Sequence, residues 1–92
     1  MLKSAFIINN DAGLTGEIQT KIISLISRYQ SNVDLMGWNG LRMNARHSGL
    51  VHIMRLRKGD KFFIQFDGPD EKDVSNSIVE LFNGFNINKF EY

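Results

Sequence analysis

The chain has 92 residues, 42% of them hydrophobic and 23% charged, with a net charge of +1; that composition fits one soluble globular domain spanning 1–92 rather than a disordered or membrane chain. Cysteine is absent, which excludes a disulfide framework, a thiolate zinc site, an iron–sulfur cluster and a cysteine nucleophile. The apolar start Ala5-Phe6-Ile7-Ile8 is too short for a signal-peptide core and no segment is long enough to span a bilayer, so the expected location is the cytoplasm, with no membrane partner.

In chain order, Ser4 to Asn9 reads as a strand, broken by Asn10-Asp11-Ala12-Gly13. Ile18, Ile22, Leu25, Ile26 and Tyr29 recur at helical spacing, which predicts an amphipathic helix over Gly16–Tyr29 with Thr15 as N-cap and Glu17 in its first turn. Val33 to Trp38 is the next strand. Asn39-Gly40 signals a hairpin into Leu41–Ala45, and Gly37 inside the first arm predicts a bulge there. A short helix is expected over Ser48–Met54, weakened by Gly49. Arg57-Lys58-Gly59-Asp60 turns the chain into a strand over Lys61–Phe66, with Phe62, Ile64 and Phe66 inward. Gly68-Pro69-Asp70-Glu71 opens a last helix on Val74, Ile78, Leu81, Phe82 and Phe85, closed by Asn83-Gly84. Residues 86–92 read as a tail whose Ile87, Phe90 and Tyr92 pack on the body or on a neighbour. Hairpins with segregated helices imply an α+β open-faced sandwich, an antiparallel sheet covered by helices on one face.

Charge is unevenly placed. No Asp or Glu lies between Leu35 and Gly59, where Arg42, Arg46, Arg55, Arg57 and Lys58 fall, whereas Asp67 to Glu91 is acidic. Such polarity steers an acidic partner toward the middle segment or simply balances the surface.

Several pieces, in register, resemble the HPr family, the small phosphocarriers of the bacterial sugar phosphotransferase system: Gly13-Leu14, Asn39-Gly40, Met43-Asn44-Ala45-Arg46, Lys58-Gly59-Asp60 and Gly68-Pro69-Asp70-Glu71. The resemblance runs from about Phe6 to Phe85, with one extra residue near Gly37. It implies a four-stranded antiparallel sheet in spatial order 1-4-2-3 with three helices on one face. It also implies a phosphoryl acceptor in a Gly-Leu/Ile-His-Ala-Arg-Pro motif, for which this chain has Gly13-Leu14-Thr15-Gly16-Glu17-Ile18. Thr15 stands at the acceptor position, and Gly16, Glu17 and Ile18 replace the rest of the phosphate site. A threonine hydroxyl without an adjacent base is a poor nucleophile. A carboxylate about 5 Å from a doubly charged phosphate opposes it by roughly 2 kcal/mol in water-like surroundings and by nearly 7 at an effective dielectric of about 20, whereas an exposed helix N-terminus returns only about 0.3–1 kcal/mol.

The regulatory serine of many Gram-positive members, in Asn-Ala-Lys-Ser-Ile-Met-Gly, aligns with Asn44-Ala45-Arg46-His47-Ser48-Gly49-Leu50. His47 takes the serine's place and Ser48 lies one position later. Arg46, Leu50, His52 and Arg55 are then the candidate partner face. No metal site is expected, since His47 and His52 are separated by about 140° around a helix and no carboxylate is close in sequence. On the helix-free face of the sheet, Ile7 and Phe63, with Met36 or Trp38 depending on the bulge, form an apolar patch that suits a homodimer or another partner.

The leading expectation is a non-catalytic, cofactor-free HPr-like domain, degenerate at its phosphorylation site, acting as a regulatory or adaptor module. Its expected partners are proteins, either phosphotransferase components or a transcriptional regulator. The alternatives are an active phosphocarrier with His47 as relocated acceptor amid Arg42, Arg46 and Arg55, and, least favoured, nucleic-acid binding through the basic segment 42–58, which lacks interleaved aromatics beyond Trp38.

Overall fold

Alternating apolar residues place one side of β1 over Leu2–Ile8, β2 over Asn32–Gly37 and β4 over Lys61–Asp67 against the helices. The computed structural model describes residues 1–91. Its elements are β1 (Leu2–Ile8), α1 (Gly16–Ile26), β2 (Asn32–Gly37), β3 (Arg42–Asn44), α2 (Leu50–Met54), β4 (Lys61–Asp67), α3 (Glu71–Asn83) and β5 (Ile87–Phe90). The sheet runs β3-β2-β4-β1-β5 with every neighbouring pair antiparallel. Read from β1, the expected order 1-4-2-3 holds.

The fifth strand corrects the expectation of a four-stranded sheet with a loose tail. Asn86 adopts a left-handed φ of 57° and reverses the chain after α3. Ile87 to Phe90 then pairs with the free edge of β1, Ile8 opposite Ile87 and Ala5 opposite Phe90. Ile87 is fully buried, so the segment is held by core packing as well as by its ladder. Tyr92 lies outside the described residues.

Phe6 and Ile8 from β1, Val33 and Leu35 from β2, and Phe62, Ile64 and Phe66 from β4 face Ile18, Ile22 and Ile26 of α1 and Val74, Ile78 and Phe82 of α3. Phe82 meets Phe6 edge to face, with ring centroids 5.1 Å apart, while Phe6 and Phe62 stack at 5.7 Å. Burying such side chains contributes about 1.5–3 kcal/mol each, which makes this stripe the main source of stability.

Several boundaries differ from those read in the sequence. Helix α1 stops at Ile26 rather than Tyr29, because Arg28 and Tyr29 donate to Leu25 and Ile26 in tighter i→i−3 bonds and the Tyr29 hydroxyl is drawn to Ser77 at 2.8 Å. Helix α2 starts at Leu50 rather than Ser48. The bulge expected at Gly37 lies instead at Gly40. Gly37 pairs normally with Phe62, its carbonyl accepts from the Gly40 N–H and its N–H donates to Leu41. Gly40 alone in that turn has a left-handed φ, 89°, the mark of a type I turn closed by a glycine bulge rather than a two-residue hairpin.

The turn into α3 is tied to the end of α1. The Asp70 carboxylate accepts the Gln30 N–H at 2.9 Å and the Ser31 hydroxyl. These bonds, the Ser31 hydroxyl foremost, hold the Asp70 carboxyl below the usual carboxylate range. The folded chain therefore binds that proton less tightly than the unfolded chain. Its stabilising contribution is complete above the unfolded pKa and fades as pH falls through the folded value. Asp70→Asn should lower the denaturation midpoint at neutral pH, and its difference from the parent should shrink as pH drops below about 4; urea titrations across pH check this.

Candidate functional site

The loop before α1 is built around close backbone approaches. Gly13 has φ 75°, and a Cβ there would lie 2.4 Å from the Leu56 carbonyl oxygen. That carbonyl accepts the Leu14 N–H at 3.0 Å, and the Leu14 side chain is buried. Asn10 completes the clamp by accepting the Gly13 N–H and donating to Phe85 O, both at 2.6 Å.

Thr15 is thereby delivered to the N-cap of α1. Its backbone is extended, and its hydroxyl oxygen accepts the Ile18 N–H at 3.3 Å. Thr15 is half-buried, Gly16 and Glu17 are exposed and Ile18 is buried, so Ile18 contributes its amide to the cap and its side chain to the core. Glu17 stands in the first turn, where its charge suits the helix dipole and opposes an incoming anion.

Gln19 joins this turn to the regulatory-site equivalent. Its side chain is buried and its amide nitrogen donates to Ala45 O at 3.2 Å and His47 O at 2.7 Å. Nothing in the sequence singled out Gln19. A glutamine beside the Ile18–Ile22 stripe is the one available signal, and it becomes informative only when the chain crosses beneath it.

His47 is exposed, and its Nδ1 accepts the Gly49 N–H at 3.1 Å, so this bond needs the tautomer that carries its proton on Nε2. The imidazole thus closes a local side-chain-to-backbone turn just before α2. Ser48 is exposed beside it. Arg42, expected near His47, is held on the other side of the sheet by Asp34 at 2.8 Å. Arg55 has a left-handed φ of 49° and donates from Nε to His52 O, closing α2. Of the candidate partner face, Arg46, His52 and Arg55 are exposed but Leu50 is 1% exposed. Leu50 is a core residue; the helix is too short for its apolar spacing to show which side faces inward. Ile53, half exposed, is the aliphatic side chain that α2 presents instead. Among the described residues, no cluster of His, Asp and Glu could hold a metal ion, and no helix is long and apolar enough to cross a membrane.

On the open face of the sheet, the register aligns Met36, Phe63, Ala5 and Phe90 in one row across β2, β4, β1 and β5. Because β2 runs without a bulge, both Met36 and Trp38 join this face. Trp38 stacks on Phe63 at 4.8 Å and 9° and lies 6.1 Å from Phe90. Ile7 is half-buried in the next row, between Lys61 and Asn88. Lys3 Nζ sits 4.5 Å over the Phe63 ring, and Lys61 Nζ lies over Phe90 at 5.2 Å. Cations cover rings expected to be bare, each contact contributing about 0.5–1 kcal/mol at an exposed position.

Residues 2–84 match the family model described as "PTS HPr component phosphorylation site". The chain is 31% identical over 87 residues to the phosphocarrier protein HPr of Xylella fastidiosa strain 9a5c, covering 94% of this chain and 97% of that protein. The same protein from strain Temecula1 is 30% identical with the same coverage. Among solved structures, the mycoplasma histidine-containing phosphocarrier protein superposes with a TM-score of 0.82 at 23% identity, over 94% of this chain and 98% of the other. HPr-C-His from Thermoanaerobacter tengcongensis gives 0.81 at 19% identity, over 92% and 94%.

The Gln19 bridge is separable from Thr15. Gln19→Leu should destabilise the fold by about 1–3 kcal/mol by taking the donor from the Ala45 carbonyl, while His47 O keeps the Leu50 N–H, with amide chemical-shift changes concentrated at Arg46–Gly49 and the N-terminal turn of α1.

Proposed function

The chain belongs to the HPr family, and from that premise we propose that it is a non-catalytic regulatory or adaptor member that binds other proteins and carries no transferable phosphoryl group at position 15. Phosphotransferase-system proteins, or a transcriptional regulator that responds to them, are its partners. The observation that carries this reading is the turn Thr15-Gly16-Glu17. The clamp of Asn10, Gly13 and Leu14 holds the start of α1, the motif's imidazole is replaced by a capping hydroxyl that accepts the Ile18 N–H, and a carboxylate stands where the family has a guanidinium. A phosphothreonine formed there would be a stable ester facing like charge.

The surroundings of His47 support the same choice over a relocated acceptor. Its Nδ1 is engaged by the Gly49 N–H, Arg42 is held by Asp34 and Arg55 leans on its own helix, which leaves Arg46 as the nearest cation in sequence. Lys3 and Lys61 over the aromatic row likewise disfavour an apolar sheet-face homodimer.

Incubation with phosphoenolpyruvate and the system's first enzyme tests the proposal. The parent should acquire no acid-labile phosphate, whereas Thr15→His with Glu17→Arg should acquire it, because the clamp that positions residue 15 is intact. Acid-labile phosphate on the parent overturns the reading, and its loss in His47→Ala would assign the carrier role to that histidine.

A further inference from the structure

The two edges of the sheet are built differently. One is β3, 3 residues long, with Arg42 turned to Asp34, and an edge so short is poorly suited to take on another strand. The other is β5, beyond which no further strand lies among the described residues. From Ile87 through Glu91 it has no proline, and no bulge interrupts its register with β1.

The direction of its backbone groups follows from the ladder. The Asn9 N–H donates to the Asn86 carbonyl at 2.9 Å, and Ile7 and Ala5 stand opposite Asn88 and Phe90. Hydrogen-bonded pairs alternate with non-bonded pairs along an antiparallel ladder, so Asn88 and Phe90 turn their main-chain groups to β1. Those of Ile87, Lys89 and, one residue past the strand, Glu91 point away from the sheet. Lys89 and Glu91 are both exposed.

A lone lysine on an edge repels an incoming strand; a lysine followed two residues later by a glutamate is complementary to itself. Laid antiparallel against a second copy, β5 can meet it in register about Asn88, Lys89 or Phe90. Pairing about Asn88 sets Lys89 against the partner's Ile87 and leaves both charges unpaired. Pairing about Lys89 sets like charges directly opposite, which destabilises. Pairing about Phe90 sets Lys89 opposite the partner's Glu91 and Glu91 opposite the partner's Lys89, and each of these pairs exchanges both main-chain bonds. Phe90 then meets the partner's Phe90 as a close non-hydrogen-bonded pair on the open face, an aromatic contact of the kind that stabilises sheets. We infer that the outer edge of β5 is a self-association site, pairing two copies of this chain antiparallel about a two-fold axis at Phe90. The row of Met36, Phe63, Ala5 and Phe90 continues into the second copy's sheet. The open face itself remains uncovered, in keeping with Lys3 and Lys61 over its rings.

The paired edge is short beside stable interfaces, which clear about 1,000 Å², so the association is weak and is read by sedimentation of the full chain up to about 1 mM protein. A monomer–dimer equilibrium is expected. Lys89→Glu and Glu91→Lys, both at exposed positions, should each weaken it by about tenfold with circular dichroism unchanged, because each sets like charges opposite one another. Mixing the two variants should restore dimers, since each supplies the charge that the other lacks. Hydrogen exchange identifies the strand: as protein concentration rises, the Lys89 and Glu91 amides should gain protection, while those of Asn88 and Phe90, already bonded to β1, stay as they were. A monomer throughout overturns the inference. So does a dimer that ignores both charge reversals, a mixture of the variants that stays monomeric, or concentration-dependent protection that falls on Trp38 and Phe63 or on α2 instead. Neither readout depends on the chemistry of residue 15.

Discussion

The hydrogen bond from the Leu14 N–H to the Leu56 carbonyl is the constraint from which the rest of the candidate site follows. It brings the loop before α1 against the segment entering β4, and it requires glycine at residue 13, where any Cβ would strike the Leu56 oxygen. With Leu14 buried and Asn10 holding the Gly13 N–H, the chain reaches Thr15 extended and turns into α1 at Gly16. Two consequences follow. Thr15 caps α1 through the Ile18 N–H, and Gln19 reaches Ala45 O and His47 O, tying the Thr15 turn to the start of α2.

In the function proposed here, scaffold and chemistry are separate in this chain. The geometry that positions residue 15 depends on Asn10, Gly13, Leu14 and Leu56, none of which involves the side chain at residue 15. The chemistry depends on what residues 15 and 17 carry, a capping hydroxyl and a carboxylate, which the proposed reading sets against the imidazole and cation of the family motif. At His47 the ring accepts the Gly49 N–H and so closes a local turn before α2. In that reading the chain acts through its surface, of which the exposed residues Arg46, His52 and Arg55 are one part.

Much of this was legible in the sequence wherever periodicity and local turn chemistry decide the outcome. The alternation of Phe62, Ile64 and Phe66, the helical recurrence of Ile18, Ile22 and Ile26, and Thr15 as N-cap all follow from side-chain spacing and short-range hydrogen bonding. Features set by distant contacts were not legible. Ile87–Phe90 becomes a strand because the edge of β1 is open to it, which no feature of those four residues announces. Asn39-Gly40 marks a turn, but where the left-handed residue falls depends on strand register. Leu50 lies on a five-residue helix whose inward side is chosen by the sheet beneath it. The cationic cover of the open face arises from cross-strand placement of Lys3 and Lys61 relative to Phe63 and Phe90, which required the full register.

The central claim, that residue 15 is held in the family's geometry without its ability to carry a labile phosphoryl group, is tested most directly by intact-mass measurement of the protein taken from its own cells during sugar uptake, before and after brief acid treatment. The account predicts an unmodified mass, or an adduct on Thr15 that survives acid as a phosphate ester does. An adduct at residue 15 that disappears in acid and turns over with sugar transport would contradict it.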